Sequence, residues 1–202
     1  HQVFIKPVMG SGAAGVSALR WNARTGQMAL YTCAMLNADA GLINTKCLCR
    51  FSKAKDILPL LREILGLDCI IERWYPKAVY QGCSYDLLAV VQEGKVDFLL
   101  ARLSKGGPIT NLHLNNHPLE ITALGLSEQL LEDIAILCRD CMKAYPGLRS
   151  AGIDILLEKG HMRPRIIEMN AQGDLIYQDI YHENVIYSHQ ARMIKNWLQM
   201  EA

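Results

Sequence analysis

The sequence predicts an α+β protein whose strands pair in antiparallel sheets. Short apolar strand patterns occur in both halves of the chain and follow one another through short turns, which is typical of antiparallel pairing. Two helical patterns interrupt them, at residues 55–65 and from Ser127 to about Tyr145, and each has one apolar stripe. A polar turn at residues 159–164 separates two further strands that could fold back as a hairpin.

The first half of the chain predicts a sheet followed by a helix. Strands are expected at residues 3–7, 16–21, 27–36 and 42–51. We expect Ser52 to cap the helix at 55–65, and Pro59 falls in its first turns, where proline is best tolerated. Another strand is predicted at residues 68–74. The Tyr75-Pro76-Lys77 segment ends that strand, so we place a hinge between two lobes there.

The second half predicts two strands, a long loop, a helix and the hairpin. The strands at 85–92 and 95–103 are joined at Glu93-Gly94. Residues 104–118 form an irregular stretch rich in Gly, Asn and His, and loops of this length are usually functional or disordered. Ser127 is predicted to cap the second helix, and a final helix is predicted from Gln178 or later to Met200.

Composition bounds the class of protein. The chain has 202 residues, enough for one sizeable core or two small lobes, and half of them are hydrophobic. A net charge of +1 gives no case for nucleic acid or acidic membranes as partners, and no apolar run is long enough to span a bilayer. Seven scattered cysteines favour a reduced, cytoplasmic setting. The CxxC spacing at 138–141 lies in a helical pattern without a second CxxC, which disfavours a zinc site.

A glycine-rich loop follows the first strand and its lysine, Lys6. The loop consists of Gly10, Ser11, Gly12, Ala13, Ala14 and Gly15. Backbone N–H groups in such a loop can approach phosphate oxygens closely, and Lys6 could add a positive charge. The loop is not a P-loop, because no helix follows and Gly-Lys-Ser/Thr is absent. A flexible hairpin turn is the alternative interpretation.

The predicted hairpin carries a candidate metal site. Glu168 and Asn170 are two residues apart, so both side chains leave the same face of their strand. Folding the hairpin brings Asp154, on the other strand, near them. Carboxylate and amide oxygens suit Mg²⁺ that still carries nucleotide phosphates. The alternative is that these polar side chains simply face water.

Taken in order, these features resemble the ATP-grasp superfamily, and within it the branch of glutathione synthetase and the peptide-tail glutamate ligases. The resemblance covers nearly the whole chain. Its most specific pieces are Glu72-Arg73-Trp74, Ala101-Arg102-Leu103 with Gly106-Gly107, Asn111-Leu112-His113, Gly152-Ile153-Asp154 and Glu168-Met169-Asn170. It implies a small lobe at residues 1–72 and a large lobe at 73–202. Each lobe would be built on an antiparallel sheet with helices, and the nucleotide would lie between the two.

The resemblance also implies a role for each matching residue. The positions implied in nucleotide binding are Lys6 and the loop Gly10–Gly15 for the phosphates, Glu72, Arg73 and Trp74 for adenine, and Asp86 near the ribose. The positions implied in chemistry are Arg102 at the transferred phosphoryl group, Asn111 and His113 near the substrate, and Asp154, Glu168 and Asn170 around Mg²⁺.

The function that the resemblance implies is ATP- and Mg²⁺-dependent ligation of a carboxylate to an amine through an acyl phosphate. The expected partners are ATP, a small carboxylate or peptide, and an amine, in a cytoplasmic protein that contacts neither nucleic acid nor membrane. Whether the chain forms a homo-oligomer stays open. The rival hypothesis is a non-catalytic or regulatory nucleotide-binding module of the same fold.

Three departures from the family pattern bear on this expectation. Related ligases carry an arginine where this chain has Leu88, and another just before the asparagine of the long loop, where Ile109 and Thr110 stand. Both differences remove positive charge from the expected reaction centre. Family members also have a preceding domain with an earlier nucleotide-contacting lysine, so we expect this chain to be a fragment. The identities of the carboxylate and the amine are not encoded in any motif of the sequence.

Overall fold

The computed structural model describes residues 1–114, 116–171 and 185–200. Its contacts divide the chain into two compact units, each assembled from several segments. The first unit comprises His1–Pro76, Gly82–Ser84 and Ser104–His117. The second unit comprises Lys77–Gln81, Tyr85–Leu103 and Pro118–Ala202.

Strands dominate both units. The strands are β1 (Gln2–Pro7), β2 (Ser17–Trp21), β3 (Met28–Asn37), β4 (Gly41–Phe51), β5 (Cys69–Arg73), β6 (Val79–Tyr80), β7 (Cys83–Gln92), β8 (Lys95–Ser104), β9 (His117–Glu120), β10 (Ser150–Leu157) and β11 (Pro164–Asn170). The helices are α1 (Ala54–Leu65), α2 (Glu128–Lys143) and α3 (Val185–Met200), with short 3-10 helices at Leu112–Leu114 and Ile121–Leu124.

The first unit contains a sheet in the order β4-β3-β2-β1-β5 with α1 on one face. Its neighbouring strands pair antiparallel. Because side chains alternate along a strand, Ile5, Leu19 and Leu30 all leave the same face. They form a buried core with the apolar stripe of α1, which includes Ile57 and Ile64.

The opposite face of this sheet is covered by the long loop at residues 104–117. Ile109 and Leu114 from the loop are buried against Cys33 of β3. Gly107 lies so close to the sheet that a Cβ atom there would approach Leu48 Cδ2 to 2.3 Å. The described residues of the long stretch that was predicted to be irregular therefore pack against the sheet, and they include one turn of 3-10 helix.

The second unit contains a sheet in the order β11-β10-β7-β8-β9, with β6 paired to β7. β10 pairs antiparallel with both β7 and β11. Residues of one parity along the central strands, such as Leu87, Ile153 and Ile155, pack against Ile134 and Cys138 of α2. Residues of the other parity therefore project from the face that is turned away from α2.

The structure confirms the predicted class, α+β with two antiparallel sheets. The hairpin is confirmed as β10 and β11, and Ser127 caps α2 by accepting a hydrogen bond from the Leu130 N–H at 3.2 Å. The predicted capping role of Ser52 is wrong. Lys53 occupies the N-cap of α1 and makes no side-chain capping bond. The short strands β6 and β9 were not predicted.

All seven cysteines lie in the described part of the chain and are free thiols. None of the helices in the described residues is both long enough and apolar enough to cross a membrane.

Candidate functional site

The glycine-rich loop of the first unit is a folded turn. Gly12, Ala13 and Gly15 all have left-handed backbone angles, with φ of 59°, 63° and 70°. The Ala14 N–H donates to the Ser11 carbonyl, and the Gly15 N–H donates to the Asn44 side-chain oxygen, both at 3.0 Å. Glycine is required at position 15 because a Cβ atom there would lie 2.7 Å from Pro7 Cγ. The loop is thus held by its own backbone and by β4.

Lys6 lies on β1 beside the strand that was predicted to contact adenine. Its Nζ atom is 2.9 Å from Glu72 Oε2 on β5. The two side chains share a face, since Phe4 pairs directly with Glu72 and Lys6 is two residues further along β1. The Lys6 side chain is 16% exposed, so its ammonium group is partly accessible to a ligand.

The predicted hinge residues Arg73 and Trp74 make ring contacts and a backbone hydrogen bond within the first unit. Trp74 is buried, its ring packs against the rings of Phe4 and Tyr31, and the Arg20 guanidinium lies 4.9 Å from its centroid. The Trp74 N–H donates to the Gln2 carbonyl at 3.3 Å. The indole is therefore a packing residue, and its predicted backbone contact with adenine competes with a bond to β1. Arg73 lies over the ring of Tyr75.

The two predicted substrate residues lie in the packed long loop. The Asn111 side-chain oxygen accepts a hydrogen bond from the His113 N–H at 2.9 Å, which orders the start of the 3-10 turn. The His113 ring lies beside the glycine-rich loop, with its Cδ2 atom 3.6 Å from the point where a Cβ of Gly12 would be. The fold of the first unit therefore brings His113 to the loop predicted to hold phosphate.

The second unit gathers its candidate residues on the sheet face turned away from α2. Asp86 on β7, Arg102 on β8 and Asp154 on β10 have the parity opposite to the residues that pack against the helix. All three are nevertheless buried. Three charged groups on neighbouring central strands are costly to bury unless they pair with one another.

These side chains form a continuous ion network, together with Lys77. Arg102 Nε donates to Asp86 Oδ1 and Arg102 Nη2 donates to Asp154 Oδ2, both at 2.8 Å. Lys77 Nζ donates to Asp86 Oδ2 at 2.9 Å. The exposed fractions of the four side chains lie between 2% and 9%, so the network is desolvated along its whole length.

Burial shifts the pKa values of this network. Burial raises the pKa of Asp154 to about 6, and repulsion from Asp86 and Glu168 adds to this, while the Arg102 guanidinium opposes it. Burial also lowers the pKa of Lys77, although its contact with Asp86 works in the other direction. For Arg102 burial again opposes the charge, but Asp86 and Asp154 outweigh it and raise its pKa.

One carboxylate oxygen of Asp154 accepts no hydrogen bond from the described residues. Oδ2 is taken by Arg102, whereas Oδ1 is buried and has no hydrogen-bond partner there. A buried carboxylate oxygen without a partner costs free energy in proportion to its desolvation. A bound cation would satisfy it, so this atom fits the predicted divalent metal.

The hairpin places the other predicted metal ligands beside Asp154. Glu168 pairs directly with Asp154 across the hairpin, and Asn170 pairs with Gly152. The Asn170 side-chain nitrogen lies 3.4 Å from Glu168 Oε1, so these two side chains share one face as expected. Both are exposed.

No cluster of three or more His, Cys, Asp and Glu side chains suited to a metal occurs within the described part of the chain. The candidate set itself has two carboxylates and one amide.

Leu88 of β7 is the neighbour of Asp154 on the side opposite to Glu168. It pairs with Asp154 across β7 and β10, and it is buried. Asp154 therefore has an acidic neighbour on one strand and an apolar neighbour on the other. The position where the family resemblance led us to expect an arginine lies directly next to the candidate metal ligand.

Sequence reasoning missed Lys77 as part of the candidate site. The residue follows Tyr75-Pro76 and was interpreted only as part of the segment that ends a strand. A single lysine in a turn carries no motif. Its partner, Asp86, becomes apparent only when the pairing of the strands is known.

Of the three comparisons with known proteins, only the one with solved structures gives matches. No protein-family model and no curated protein matches this chain. Among solved structures, the chain is similar to the ATP-grasp ligase PsnB complexed with a phosphomimetic variant of a minimal precursor, Mg and ADP. The identity is 15% and the TM-score is 0.41, over 88% of this chain and 39% of that one. For PsnB complexed with its minimal precursor, the identity is 15% and the TM-score is 0.38, over 80% and 49%. The chain thus spans less than half the length of these structures.

Proposed function

We propose that this chain is part of an ATP- and Mg²⁺-dependent ligase of the ATP-grasp type, which joins a carboxylate to an amine through an acyl phosphate. The observation that carries the proposal is the pairing of Asp154 with Glu168 across the hairpin, with the buried Oδ1 atom of Asp154 lacking a partner among the described residues. Such an oxygen beside a second carboxylate and an amide is a suitable environment for a hard cation.

In this proposal Asp154, Glu168 and Asn170 hold Mg²⁺, and the metal supplies positive charge where the phosphate oxygens gain negative charge. Arg102 lies within hydrogen-bond distance of Asp154 and contributes further positive charge beside the metal ligands. The network is buried, so its charges act in a medium of low polarity, where electrostatic stabilisation is strong.

The residues of the first unit are proposed to bind the nucleotide. Lys6 contacts the phosphates when it exchanges Glu72 for a phosphate oxygen. The loop Gly10–Gly15 supports this role because its left-handed turn is already formed and held by Asn44. His113, next to Gly12, is proposed to contact the substrate or the phosphate being transferred.

The reaction proposed for the substrates has two steps. The carboxylate of a small molecule or peptide attacks the γ-phosphorus of ATP, the bond to the β-phosphate oxygen breaks, and ADP leaves. The amine then attacks the acyl phosphate carbon, phosphate leaves with the electron pair of the C–O bond, and the nitrogen loses a proton. Water must be kept from the acyl phosphate, which is the usual role of a closing loop.

The test is nucleotide binding in a glutamate variant. Glu168→Gln is nearly isosteric and removes one formal charge from the candidate metal site, so Mg·ADP affinity is expected to fall at least about tenfold. Affinity for ADP in EDTA is expected to stay unchanged. The matched control is Glu132→Gln on the exposed surface of α2, which leaves both affinities at wild-type values. Isothermal calorimetry that gives equal Mg·ADP affinity for Glu168→Gln and wild type contradicts the metal site.

One observation favours a second candidate function, a regulatory nucleotide-binding module that performs no ligation. Leu88, instead of an arginine, is buried directly beside Asp154, so this position supplies no positive charge to a transferred phosphoryl group. Measurement of ADP formation over a panel of amino acids and peptides separates the two. Tight Mg·ADP binding without ADP formation for any carboxylate–amine pair favours the module.

A further inference from the structure

We propose that Lys77 and Asp86 are positioning residues that anchor Arg102 and thereby hold Asp154 in place for the divalent cation. This inference rests on the proposed function. It gives Asp86 a different role from the contact with ribose that the family resemblance implies. It also assigns a role to Lys77, which no motif of the sequence identifies.

The first argument is that both carboxylate oxygens of Asp86 already accept hydrogen bonds within the second unit. One of its carboxylate oxygens accepts from Arg102 Nε at 2.8 Å and the other accepts from Lys77 Nζ at 2.9 Å. The side chain is 2% exposed. A carboxylate with both oxygens bonded to buried cations has no exposed edge to offer a ribose hydroxyl group, so it is better suited to orienting Arg102.

The second argument is the geometry of Arg102. The guanidinium is planar and rigid, and its donors point in fixed directions. When Asp86 fixes Nε, the direction of Nη2 toward Asp154 is fixed as well. Asp154 Oδ2 is thereby held, and Oδ1 is the oxygen left for a cation. Anchors of this kind behind a metal ligand typically change metal affinity by about 10–100-fold.

The third argument is the way Lys77 is held. Lys77 forms an isolated antiparallel bridge with Glu158, and the Ala78 N–H donates to the Leu157 carbonyl at 2.8 Å. Leu157 is the last residue of the strand that carries Asp154, and Glu158 directly follows it. The lysine is therefore tied by its backbone to β10 and by its side chain to β7, which fixes the far end of the network.

The fourth argument is charge. Lys77 and Arg102 carry two positive charges, and Asp86 and Asp154 carry two negative charges, all in a desolvated environment. The two positive and two negative charges make the set neutral as a whole, and each cation lies next to a carboxylate. Removal of the Asp86 charge alone therefore has two effects, loss of the anchor for Arg102 and one excess positive charge, and the experiment must separate them.

The test compares Asp86→Asn, the double variant Lys77→Met/Asp86→Asn and wild type, with ADP as the probe in the presence of Mn²⁺ and in EDTA. We expect Asp86→Asn to reduce the Mn²⁺-dependent gain in ADP affinity about tenfold or more, with affinity in EDTA unchanged within about twofold. The double variant restores neutrality but not the anchor, so its metal-dependent gain should stay reduced.

Three results would overturn the inference. The first is a normal Mn²⁺-dependent gain in Asp86→Asn. The second is an equal loss of ADP affinity in EDTA, together with loss of adenosine affinity, which would make Asp86 a nucleoside contact. The third is recovery of the wild-type gain in the double variant, which would make net charge, and not positioning, the cause.

A second measurement separates this inference from the proposed function. If wild-type protein shows no Mn²⁺-dependent gain in ADP affinity, the proposed metal site is wrong. The positioning role is then tested by the stability of Lys77→Met, Asp154→Asn and their double variant. Lys77 and Asp154 are joined in the network through Asp86 and Arg102. A combined shift in the urea midpoint well below the sum of the single shifts supports the linkage. Additive shifts overturn it.

Discussion

Replacement of Arg102 by methionine tests how strongly the buried network holds the second unit together. Arg102 makes two bonds of 2.8 Å to carboxylates, and its side chain is 8% exposed. In the variant Asp86 keeps Lys77, but Asp154 loses its bond to Arg102 while it remains buried. Removing one partner of a buried ion pair typically costs about 3–5 kcal/mol, because the remaining charge is desolvated and unpaired.

The expected loss is therefore about 3–5 kcal/mol of unfolding free energy. For a chain of this length, this corresponds to a decrease of about 6–20 °C in Tm. The assay is urea unfolding at pH 7, followed by tryptophan fluorescence and by far-ultraviolet circular dichroism, so that agreement of the two probes tests for a single transition.

Arg149→Met is the matched control. Arg149 makes an ion pair with Glu93 at 3.1 Å, but these side chains are 44% and 43% exposed. Solvent screens such pairs, and the expected loss is below about 1 kcal/mol. If Arg102→Met is no less stable than Arg149→Met, the network does not stabilise the unit and the reasoning from burial is wrong.

Three further predictions follow from the described residues. Gly15→Ala should destabilise the protein by about 1 kcal/mol or more, because φ is 70° and the new Cβ would meet Pro7. Gly10→Ala in the same loop, where the nearest atom would lie 3.5 Å from the added Cβ, should be close to neutral, as thermal unfolding can check. Iodoacetamide at pH 8 should label the exposed Cys47 within minutes and spare Cys33 and Cys138 in the folded protein. Burial raises the pKa of Cys33 to about 11 and that of Cys138 to about 12, which keeps both thiols protonated. Mass spectrometry identifies the labelled sites, and rapid labelling of Cys33 or Cys138 would contradict the fold. Lys6→Ala should weaken ATP binding far more than adenosine binding, with Lys143→Ala as the control, and equal weakening of both ligands would make Lys6 a structural residue.

Strand patterns and turn residues were sufficient to predict much of the fold. The hairpin could be predicted because Asp154, Glu168 and Asn170 alternate with apolar residues on either side of a polar turn. The turn between β7 and β8 was also predicted, from Glu93-Gly94 between two strand patterns, and both residues adopt the positive φ angles that a tight hairpin turn requires. Local chemistry determines such features, so a single sequence reveals them.

Features that depend on distant contacts could not be predicted. Trp74 was predicted to offer its backbone to adenine, but its N–H bonds to Gln2 near the start of the chain, and its ring packs on Phe4 and Tyr31. The assignment of Asp86 to ribose came from its place in the order of motifs. Its burial between Lys77 and Arg102 depends on tertiary contacts of β7 and β8. Burial of a charge is a tertiary property, and no local pattern encodes it.

The discontinuity of the first unit has a consequence for how the chain folds and how it can be divided. Residues 104–117, which cover one face of its sheet, leave a ribosome only after Lys77–Gln81 and Tyr85–Leu103 of the second unit have emerged. The sheet face around Cys33 and Leu48 must therefore wait for a distant segment, and contacts of such long range slow folding and expose apolar surface in the interval. Limited proteolysis in the segment around residue 77 would not release a complete first unit, because residues 104–117 would remain on the C-terminal fragment. A chain permuted so that residues 104–117 directly follow Pro76 should complete that unit sooner.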